Sequence, residues 1–345
     1  MKGNVMSEIK LILDCDPGSD DAVAIMLASL SERINLLGIT VVNGNRILPK
    51  TLENALRVVQ FLGKDIPVFA GAETALVSGL IKSRKPDLPR VTLNDSHGDY
   101  LALEPARIKP QPKRAAQWLV ETLMESDGEI SIAAVGPLTN LALALRLEPR
   151  IENKIKQLVI MGGGIVGSNA TQSAEFNFYA DPESAKIVMG STIPKMILPL
   201  DATWRACITL DQCVQLRELG TKWANYTADL VELRVKGLQV NDACEHNAKL
   251  RHTPGTVGST LLYRYENDMA PVHDALAVAY LLEPSLVKEY IEANVDIDIA
   301  GGLADGRMVV DLHNKKKGSE PLNAKVAIDA DGETFYKLLL TAFSE

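Results

Sequence analysis

Residues 14–21 read Asp14-Cys15-Asp16-Pro17-Gly18-Ser19-Asp20-Asp21, and this stretch decides the fold class. The apolar run 9–13 before it predicts a buried strand, and the longer apolar run 22–28 after it predicts a helix that faces the core. Pro17-Gly18 predicts the turn between the two. The acids should therefore lie at the carboxyl end of a strand, on the loop that opens a helix, which is where open α/β sheets bind ligands.

The acids of this stretch predict a bound cation. Four carboxylates fall within eight residues and repel one another unless a positive charge lies between them. Ca²⁺ and Mg²⁺ both prefer carboxylate oxygens. Helix capping is the competing interpretation, because Asp20 and Asp21 would suit the first turn of a helix and its dipole. Capping does not account for Asp14 and Asp16 at the strand end, so the pattern favours a metal site, with capping as a partial explanation.

The composition argues against several other classes of protein. The chain has 345 residues, of which 46% are hydrophobic and 23% are charged, as in ordinary soluble globular proteins. Its net charge of −8 disfavours nonspecific nucleic-acid binding, and no apolar run approaches the ~20 residues of a membrane helix. The four cysteines lack metal-site spacing and, with no signal peptide visible in the polar N-terminus, favour the reducing cytoplasm. Cys15 is expected to pack in the core.

Strand-like and helical patterns alternate along most of the chain. This order predicts an α/β fold with a mostly parallel, doubly wound sheet of Rossmann-like order and extra helices near the site. Residues 295–310, with a Gly301-Gly302 turn, predict a C-terminal antiparallel hairpin. Residues 1–8 are expected to be a disordered N-terminal tail, and residues 9–345 are expected to form a single domain.

Loops near the predicted site carry further candidate residues. The irregular segments 76–112 and 238–268 could cover the site, since loops of such length are usually functional or mobile. His97 lies on the first segment; a lone loop histidine is most often merely exposed, but this one could close over the site. Residues 168–179 are also predicted as a loop. This loop carries three polar residues whose side chains are suited to hydrogen bonds with sugar hydroxyls: Asn169, Glu175 and Asn177. An ordinary polar loop exposed to solvent would explain them nearly as well.

Three other stretches carry motifs. The glycines in 162–167 match the spacing of a dinucleotide fingerprint, but a polar loop follows them in place of the helix that the motif requires. Asn43-Gly44-Asn45 ends another predicted strand, and a plain turn is its safer interpretation. His273 and Asp274 fall in the first turn of a predicted helix. The helix dipole alone would favour the acid there, whereas a histidine beside a carboxylate or metal ligand is a candidate for proton transfer.

The acid stretch and its flanks resemble the signature of the inosine–uridine preferring nucleoside hydrolases. Further blocks similar to that family follow in the family's order: Gly44-Asn45, Gly136-Pro137-Leu138-Thr139-Asn140, Met161-Gly162-Gly163-Gly164, Asn169-Ala170-Thr171, Ala174-Glu175-Phe176-Asn177, Asp181-Pro182-Glu183 and Val272-His273-Asp274. The resemblance covers about residues 9–282. It implies hydrolysis of the N-glycosidic bond of ribonucleosides, a tightly held Ca²⁺, a part in purine or pyrimidine salvage, and a homodimer or homotetramer.

The resemblance also implies a role for each matching position. The metal ligands would be Asp16, Asp21, Asp274 and the carbonyl oxygen of Val135. The catalytic residues would be Asp16, as general base on a water, and His273, as general acid for the departing base. The substrate contacts would be Asp20 on the ribose 2′-hydroxyl, Asn169, Glu175 and Asn177 on the 5′- and 3′-hydroxyls, and also Asn45, Met161 and His97. Asp14 would be a supporting acid.

Departures from the family pattern leave the preferred nucleobase open. They are the residues after His97-Gly98, the asparagine at position 43, and the long stretch between Asp201 and His273. A related enzyme could therefore cleave another N-riboside, such as nicotinamide riboside. Outside enzymes, the alternative is a catalytically silent nucleoside-binding protein. That alternative would need a missing base or a broken metal shell, and the sequence shows neither.

Overall fold

The computed structural model describes residues 8–81, 98–244, 268–313 and 322–344, apart from the side chains of 239–244. Nearly all of the predicted N-terminal tail lies outside the described residues, as do His97 and much of the two predicted covering segments, 76–112 and 238–268. Within the described ranges, no helix combines the length and the apolar character needed to cross a bilayer.

The strands are β1 Ile9–Cys15, β2 Ile34–Val41, β3 Val68–Ala70, β4 Ile130–Ala134, β5 Ile155–Met161, β6 Lys195–Leu198, β7 Cys207–Thr209, β8 Met269–Pro271, β9 Val287–Ala293, β10 Val295–Ile297, β11 Met308–Val310 and β12 Ala324–Ala330. The α-helices are α1 Ser19–Leu30, α2 Leu48–Leu62, α3 Ala115–Glu125, α4 Thr139–Leu147, α5 Phe176–Ala180, α6 Pro182–Met189, α7 Leu200–Thr203, α8 Leu210–Glu218, α9 Lys222–Cys244, α10 His273–Leu282 and α11 Gly332–Phe343. Short 3₁₀ helices span Pro149–Lys154 and Pro284–Leu286.

Eight strands of the described ranges form one sheet, in the order β3-β2-β1-β4-β5-β6-β12-β9. Neighbouring strands are parallel, except that β9 pairs with β12 in the antiparallel sense. The predicted α/β fold with a mostly parallel, doubly wound sheet is thereby confirmed. β1 lies next to β4 although the chain continues from them toward opposite edges, and such a switch point is where open α/β sheets bind ligands.

The central strand and the helix after it are buried, which fixes the acid loop between them. Leu11, Ile12 and Leu13 of β1 have no exposed surface, as expected for a strand with helices on both faces. In α1, every residue from 19 to 28 is buried, and the helix packs against α2 and α10. Cys15 is buried in the core, as predicted. The contact between α1 and α10 brings the beginning of the chain next to its last third.

The predicted C-terminal hairpin is confirmed: β10 and β11 are antiparallel, with Val295 opposite Val310. The prediction of a loop through residue 179 is wrong at its end, because residues 176–180 form α5. The Glu175 side chain caps this short helix by accepting from two of its backbone N–H groups, which a hydrophobic pattern does not reveal. β9 is a strand that the sequence did not predict. Most of its residues are exposed or half-buried, as is common for an edge strand.

Candidate active site

Asp21 organises the acid loop at the carboxyl end of β1. One of its carboxylate oxygens accepts a hydrogen bond from the Gly18 backbone N–H at 2.9 Å, and the other accepts from the Asp16 backbone N–H at 3.2 Å. Asn45 Nδ2 also donates to this carboxylate, at 3.3 Å. The capping interpretation is therefore correct for Asp21, since its side chain satisfies N–H groups at the start of α1.

Asp20, Asp21 and Asp274 form a buried group whose potential ligand atoms all lie within 4.8 Å of one another. The first two residues belong to α1, and Asp274 is the second residue of α10. Packing of α1 against α10 is what brings the third carboxylate to the loop. Oxygens this close together can share one ion, so this group could hold a metal.

Asp16 lies beside this group. Its Oδ2 accepts from the backbone N–H of Asn45 at 2.5 Å, and Asn45 Nδ2 donates to the Asp16 carbonyl oxygen at 3.1 Å. Two glycines make room for the carboxylate: a Cβ at Gly44 would lie 2.1 Å from Oδ2, and a Cβ at Gly136 would lie 2.6 Å from Oδ1. The predicted metal ligands included Asp16, whereas the group of three carboxylates within 4.8 Å of one another contains Asp20 instead.

Burial and mutual repulsion oppose full ionisation of this cluster. Burial and the neighbouring charge of Asp20 raise the pKa of Asp21 to about 7. Burial also raises the pKa of Asp274 far above its usual range, and the charges of Asp20, Asp21 and Asp16 raise it further. A divalent cation would offset both effects, and carboxylate oxygens are the ligands that hard cations take. The residues present therefore could hold a divalent metal ion.

Asp14 is held at the end of β1 by side chains from other elements. Its Oδ1 accepts from Thr40 Oγ1 at 2.5 Å and from Asn140 Nδ2 at 2.8 Å. Burial raises the pKa of Asp14 to about 6, even though these two hydrogen bonds act in the opposite direction. Asn140 also accepts from the backbone N–H of Ala72 at 2.8 Å. The network ties the ends of β1, β2 and β3 to the start of α4, which suits a supporting acid.

Asn177 and Glu175 connect the neighbouring strand ends. Asn177 Nδ2 donates to the carbonyl oxygens of Val135, at 2.9 Å, and of Met161, at 3.1 Å. Val135 directly follows β4, and Met161 is the last residue of β5. The Glu175 side chain is buried and accepts from the backbone N–H groups of Gly163, at 2.8 Å, and of Asn177, at 2.9 Å. The structure thus brings together four of the predicted site positions on the carboxyl side of the sheet.

His273 begins α10 beside a threonine and a tryptophan that follow β6. Its Nδ1 lies 2.7 Å from Thr203 Oγ1, and its ring meets the Trp204 ring edge-on with centroids 5.7 Å apart. The histidine is 8% exposed, so its ring is held nearly inside the protein while part of it stays accessible. The contact at Nδ1 fixes the orientation of the ring.

Known proteins match this chain over almost its whole length. The sequence model of the family described as "Inosine-uridine preferring nucleoside hydrolase" matches residues 11–337. The chain belongs to this family. The resemblance seen in the acid stretch and the ordered blocks is thereby confirmed, and the protein is a ribonucleoside hydrolase, an enzyme that cleaves N-glycosidic bonds.

Relatives of this nucleoside hydrolase carry different substrate descriptions. A pyrimidine-specific ribonucleoside hydrolase, RihB of Escherichia coli O157:H7, is 35% identical over 338 residues, or 97% of this chain and 96% of the relative. A solved plant nucleoside hydrolase, PpNRh1, is 26% identical with a TM-score of 0.80 and covers 97% of this chain and 99% of its own. A purine-preferring ribonucleoside hydrolase from Gardnerella vaginalis is 25% identical with a TM-score of 0.79, covering 97% and 98%.

Of the remaining predicted substrate contacts of the nucleoside hydrolase, one is exposed and one lies outside the described residues. Asn169 is exposed, and its Oδ1 accepts from the backbone N–H of Phe176 at 2.9 Å, at the start of α5. His97 lies outside the described residues. Gly98, directly after it, has a φ of 59°, a left-handed backbone conformation that glycine adopts without strain.

Sequence reasoning missed one charged residue of this nucleoside hydrolase's site. Arg234, on α9, approaches Asp20 with 3.0 Å between Nη1 and Oδ1, and Nη1 also donates to Ser19 Oγ at 3.1 Å. The side chains of Arg234 and Asp20 are only 11% and 7% exposed. An arginine on a long helix carries no sequence signal for such a contact, because the contact depends on how α9 packs against the acid loop.

Proposed function

We propose that this enzyme hydrolyses ribonucleosides with the help of one Ca²⁺ ion, releasing ribose and the free nucleobase. The observation that carries the proposal is the buried group of Asp20, Asp21 and Asp274 at the switch point of the sheet. Buried carboxylates with raised pKa values, placed where α/β sheets bind ligands, are the arrangement expected of a metal-dependent catalytic site. Family membership supplies the reaction class.

Asp16, Asp21, Asp274 and the carbonyl oxygen of Val135 would hold the ion. The Val135 carbonyl oxygen already accepts one hydrogen bond from Asn177, and a carbonyl oxygen has a second lone pair for a metal. When bound, the ion supplies positive charge that acidifies a water and binds vicinal hydroxyls of the sugar. The choice of Ca²⁺ over Mg²⁺ rests on the family resemblance and on a donor set made only of oxygens.

Asp16 would accept the proton of the attacking water. Its carboxylate lies beside the buried group and is fixed by a hydrogen bond from the Asn45 backbone N–H, so a base at this position would be held in a defined orientation. Positive charge builds up on the ribose as the glycosidic bond breaks, and nearby carboxylates stabilise that charge. Direct attack by water predicts inversion at the anomeric carbon.

Sugar and base would be held by the residues around this cluster. Asp20 would accept from the 2′-hydroxyl, while Glu175, Asn177 and Asn169 would serve the 3′- and 5′-hydroxyls. His273, held by Thr203 at Nδ1, would present Nε2 to the departing base and donate a proton to it. Proton donation by a histidine at this position makes the base a better leaving group.

The test is ribose release from a panel of ribonucleosides in the presence of Ca²⁺. Inosine, uridine, cytidine and adenosine each report on one type of base, and we expect uridine and cytidine to react fastest because the 35% identical relative is pyrimidine-specific. Absence of ribose release from all four would defeat the proposal. Faster cleavage of inosine would reverse the base preference and leave the mechanism standing.

The role of Asp16 has its own test. Asp16→Ala should lose nearly all turnover, on the order of 10²–10⁴-fold, because it removes a positioned general base. Asp65→Ala is the matched control, since Asp65 is exposed on a loop distant in sequence from the acid stretch. A fully active Asp16→Ala enzyme would show that another group accepts the proton.

A further inference from the structure

The acid loop has a cationic partner that the family resemblance did not include. Arg234 reaches Asp20 and Ser19 through the same nitrogen, Nη1, at 3.0 Å and 3.1 Å. Both contacts join α9 to the first turn of α1. Among the ion pairs of the described residues, this one joins a cation to a carboxylate of the buried group.

The geometry of Arg234 suits a role other than general stabilisation. Its Nε is buried and finds no acceptor among the described residues. An unsatisfied buried donor destabilises a fold, so a side chain selected only for stability would use it. The side chain therefore gives up one hydrogen bond while Nη1 keeps its contact with Asp20.

The choice of Asp20 is also informative. Asp21 is held by the backbone N–H groups of Gly18 and Asp16, whereas Asp20 is held by the guanidinium of Arg234. Arg234 thus fixes the orientation of the Asp20 carboxylate beside the other two carboxylates of the group.

We propose that Arg234 is a positioning residue that holds Asp20 ready for the ribose hydroxyl and at the same time weakens the hold of the cluster on its metal ion. This inference rests on the proposed function, which places Asp20 on the sugar. The two effects have opposite consequences when Arg234 is removed. Sugar binding should become worse, because the Asp20 carboxylate loses its fixed orientation. Metal binding should become tighter, because a positive charge leaves the neighbourhood of the ion.

The size of the second effect follows from Coulomb's law. The contact with Asp20 and the 4.8 Å limit of the carboxylate group place the guanidinium within roughly 10 Å of every member of that group. At such a separation and with a water-like effective dielectric constant, one unit charge changes the affinity for a divalent ion by about three- to tenfold. This change is large enough to measure by calorimetric titration of the metal-free protein with Ca²⁺.

The experiment compares Arg234→Gln, Arg234→Lys and the control Arg217→Gln. Arg217 lies on α8 and pairs with Glu232 and Asp229 of α9, so its replacement removes an equal charge beside α9 without touching the acid loop. We expect Arg234→Gln to bind Ca²⁺ about three- to tenfold more tightly than the natural protein. We also expect KM for ribonucleosides to rise about tenfold or more, because roughly one charge-assisted hydrogen bond is lost. Arg234→Lys should keep the natural Ca²⁺ affinity and have a KM between those of the natural protein and Arg234→Gln. Arg217→Gln should change neither the Ca²⁺ affinity nor KM.

Three results would overturn the inference. The first is weaker Ca²⁺ binding by Arg234→Gln when the Tm of this variant equals that of the natural protein, which would mean that the arginine supports the metal site. An unchanged KM would mean that Asp20 needs no such partner. A rise in KM that differs between inosine and uridine would mean that the guanidinium contacts the base and not the sugar through Asp20. If the natural protein releases no ribose, the proposed function fails, yet the Ca²⁺ titrations still test the electrostatic half of the inference.

Discussion

Replacing Asp274 by asparagine should make the stability of the metal-free protein less dependent on pH. Asp21 and Asp274 share a hydrogen bond within the buried group, and the pKa values of both are raised, chiefly by burial. An asparagine at position 274 keeps the size of the side chain and offers a permanent N–H donor to Asp21. It removes one buried carboxylate and one predicted metal ligand.

The magnitude can be worked from Asp21. Its pKa rises from 3.8 to about 7 on folding, a shift of about three pKa units, and each unit corresponds to 1.36 kcal/mol. A carboxyl with a raised pKa stabilises the fold at low pH, and this contribution is lost as the pH rises through the folded-state pKa. The metal-free protein should therefore lose up to about 4 kcal/mol from this group as the pH rises from 4 to above 7. For a chain of this length that loss lowers Tm by about 5 °C.

The assay is thermal unfolding at pH 5.5, 7.0 and 8.5, in a chelator and in excess Ca²⁺. In chelator, Tm of the natural protein should fall with rising pH, and Tm of Asp274→Asn should fall less, because Asp21 keeps a donor and loses a charged neighbour. Ca²⁺ at a hundred times its Kd should stabilise the natural protein by about 2.7 kcal/mol and leave Asp274→Asn unchanged. Asp65→Asn serves as the control for losing an exposed acid.

Two results would refute this reasoning. Tm of the metal-free natural protein could stay constant or rise between pH 5.5 and 8.5, which would mean that the buried carboxylates do not bind extra protons on folding. Alternatively, Asp274→Asn could gain as much stability from Ca²⁺ as the natural protein. That would remove Asp274 from the metal site.

Two further substitutions test the residues that position Asp16 and His273. Gly44→Ala should lower turnover by about 100-fold or more, because the added Cβ would lie 2.1 Å from Asp16 Oδ2 and displace the proposed base. Normal turnover with normal Tm would show that the carboxylate can move without consequence. Thr203→Val keeps the shape of the side chain but removes the partner of His273 Nδ1, so it should reduce kcat about tenfold and shift the pH profile of kcat. Thr203→Ser should keep the natural kcat and the natural pH profile. An unchanged pH profile in the valine variant would contradict the role of the contact.

The acid loop was predictable because its signals are local. A short apolar run, a Pro-Gly turn and a long apolar run define β1 and α1 without knowledge of the rest of the chain. The parallel sheet followed from the alternation of strands and helices. The meeting of Asp274 with the loop was accessible only through the family resemblance, since no local pattern connects residues so far apart in the chain.

The features that sequence reasoning missed depend on tertiary packing. Arg234 reaches Asp20 because α9 lies across the start of α1, and Thr203 reaches His273 because the chain turns into α7 directly after β6. Helix α5 is too short for a hydrophobic period, and a single buried glutamate decides where it begins. Each of these contacts is a side chain meeting a distant element, which composition and spacing do not encode.

The distance in sequence between the two halves of the carboxylate group has a consequence for biosynthesis. The acid loop leaves the ribosome early, whereas its partner is residue 274 of a 345-residue chain. By the time this residue emerges, six parallel strands of the sheet have already been synthesised. The set of oxygens that could hold a cation is therefore incomplete until late in synthesis, after these six strands have been made.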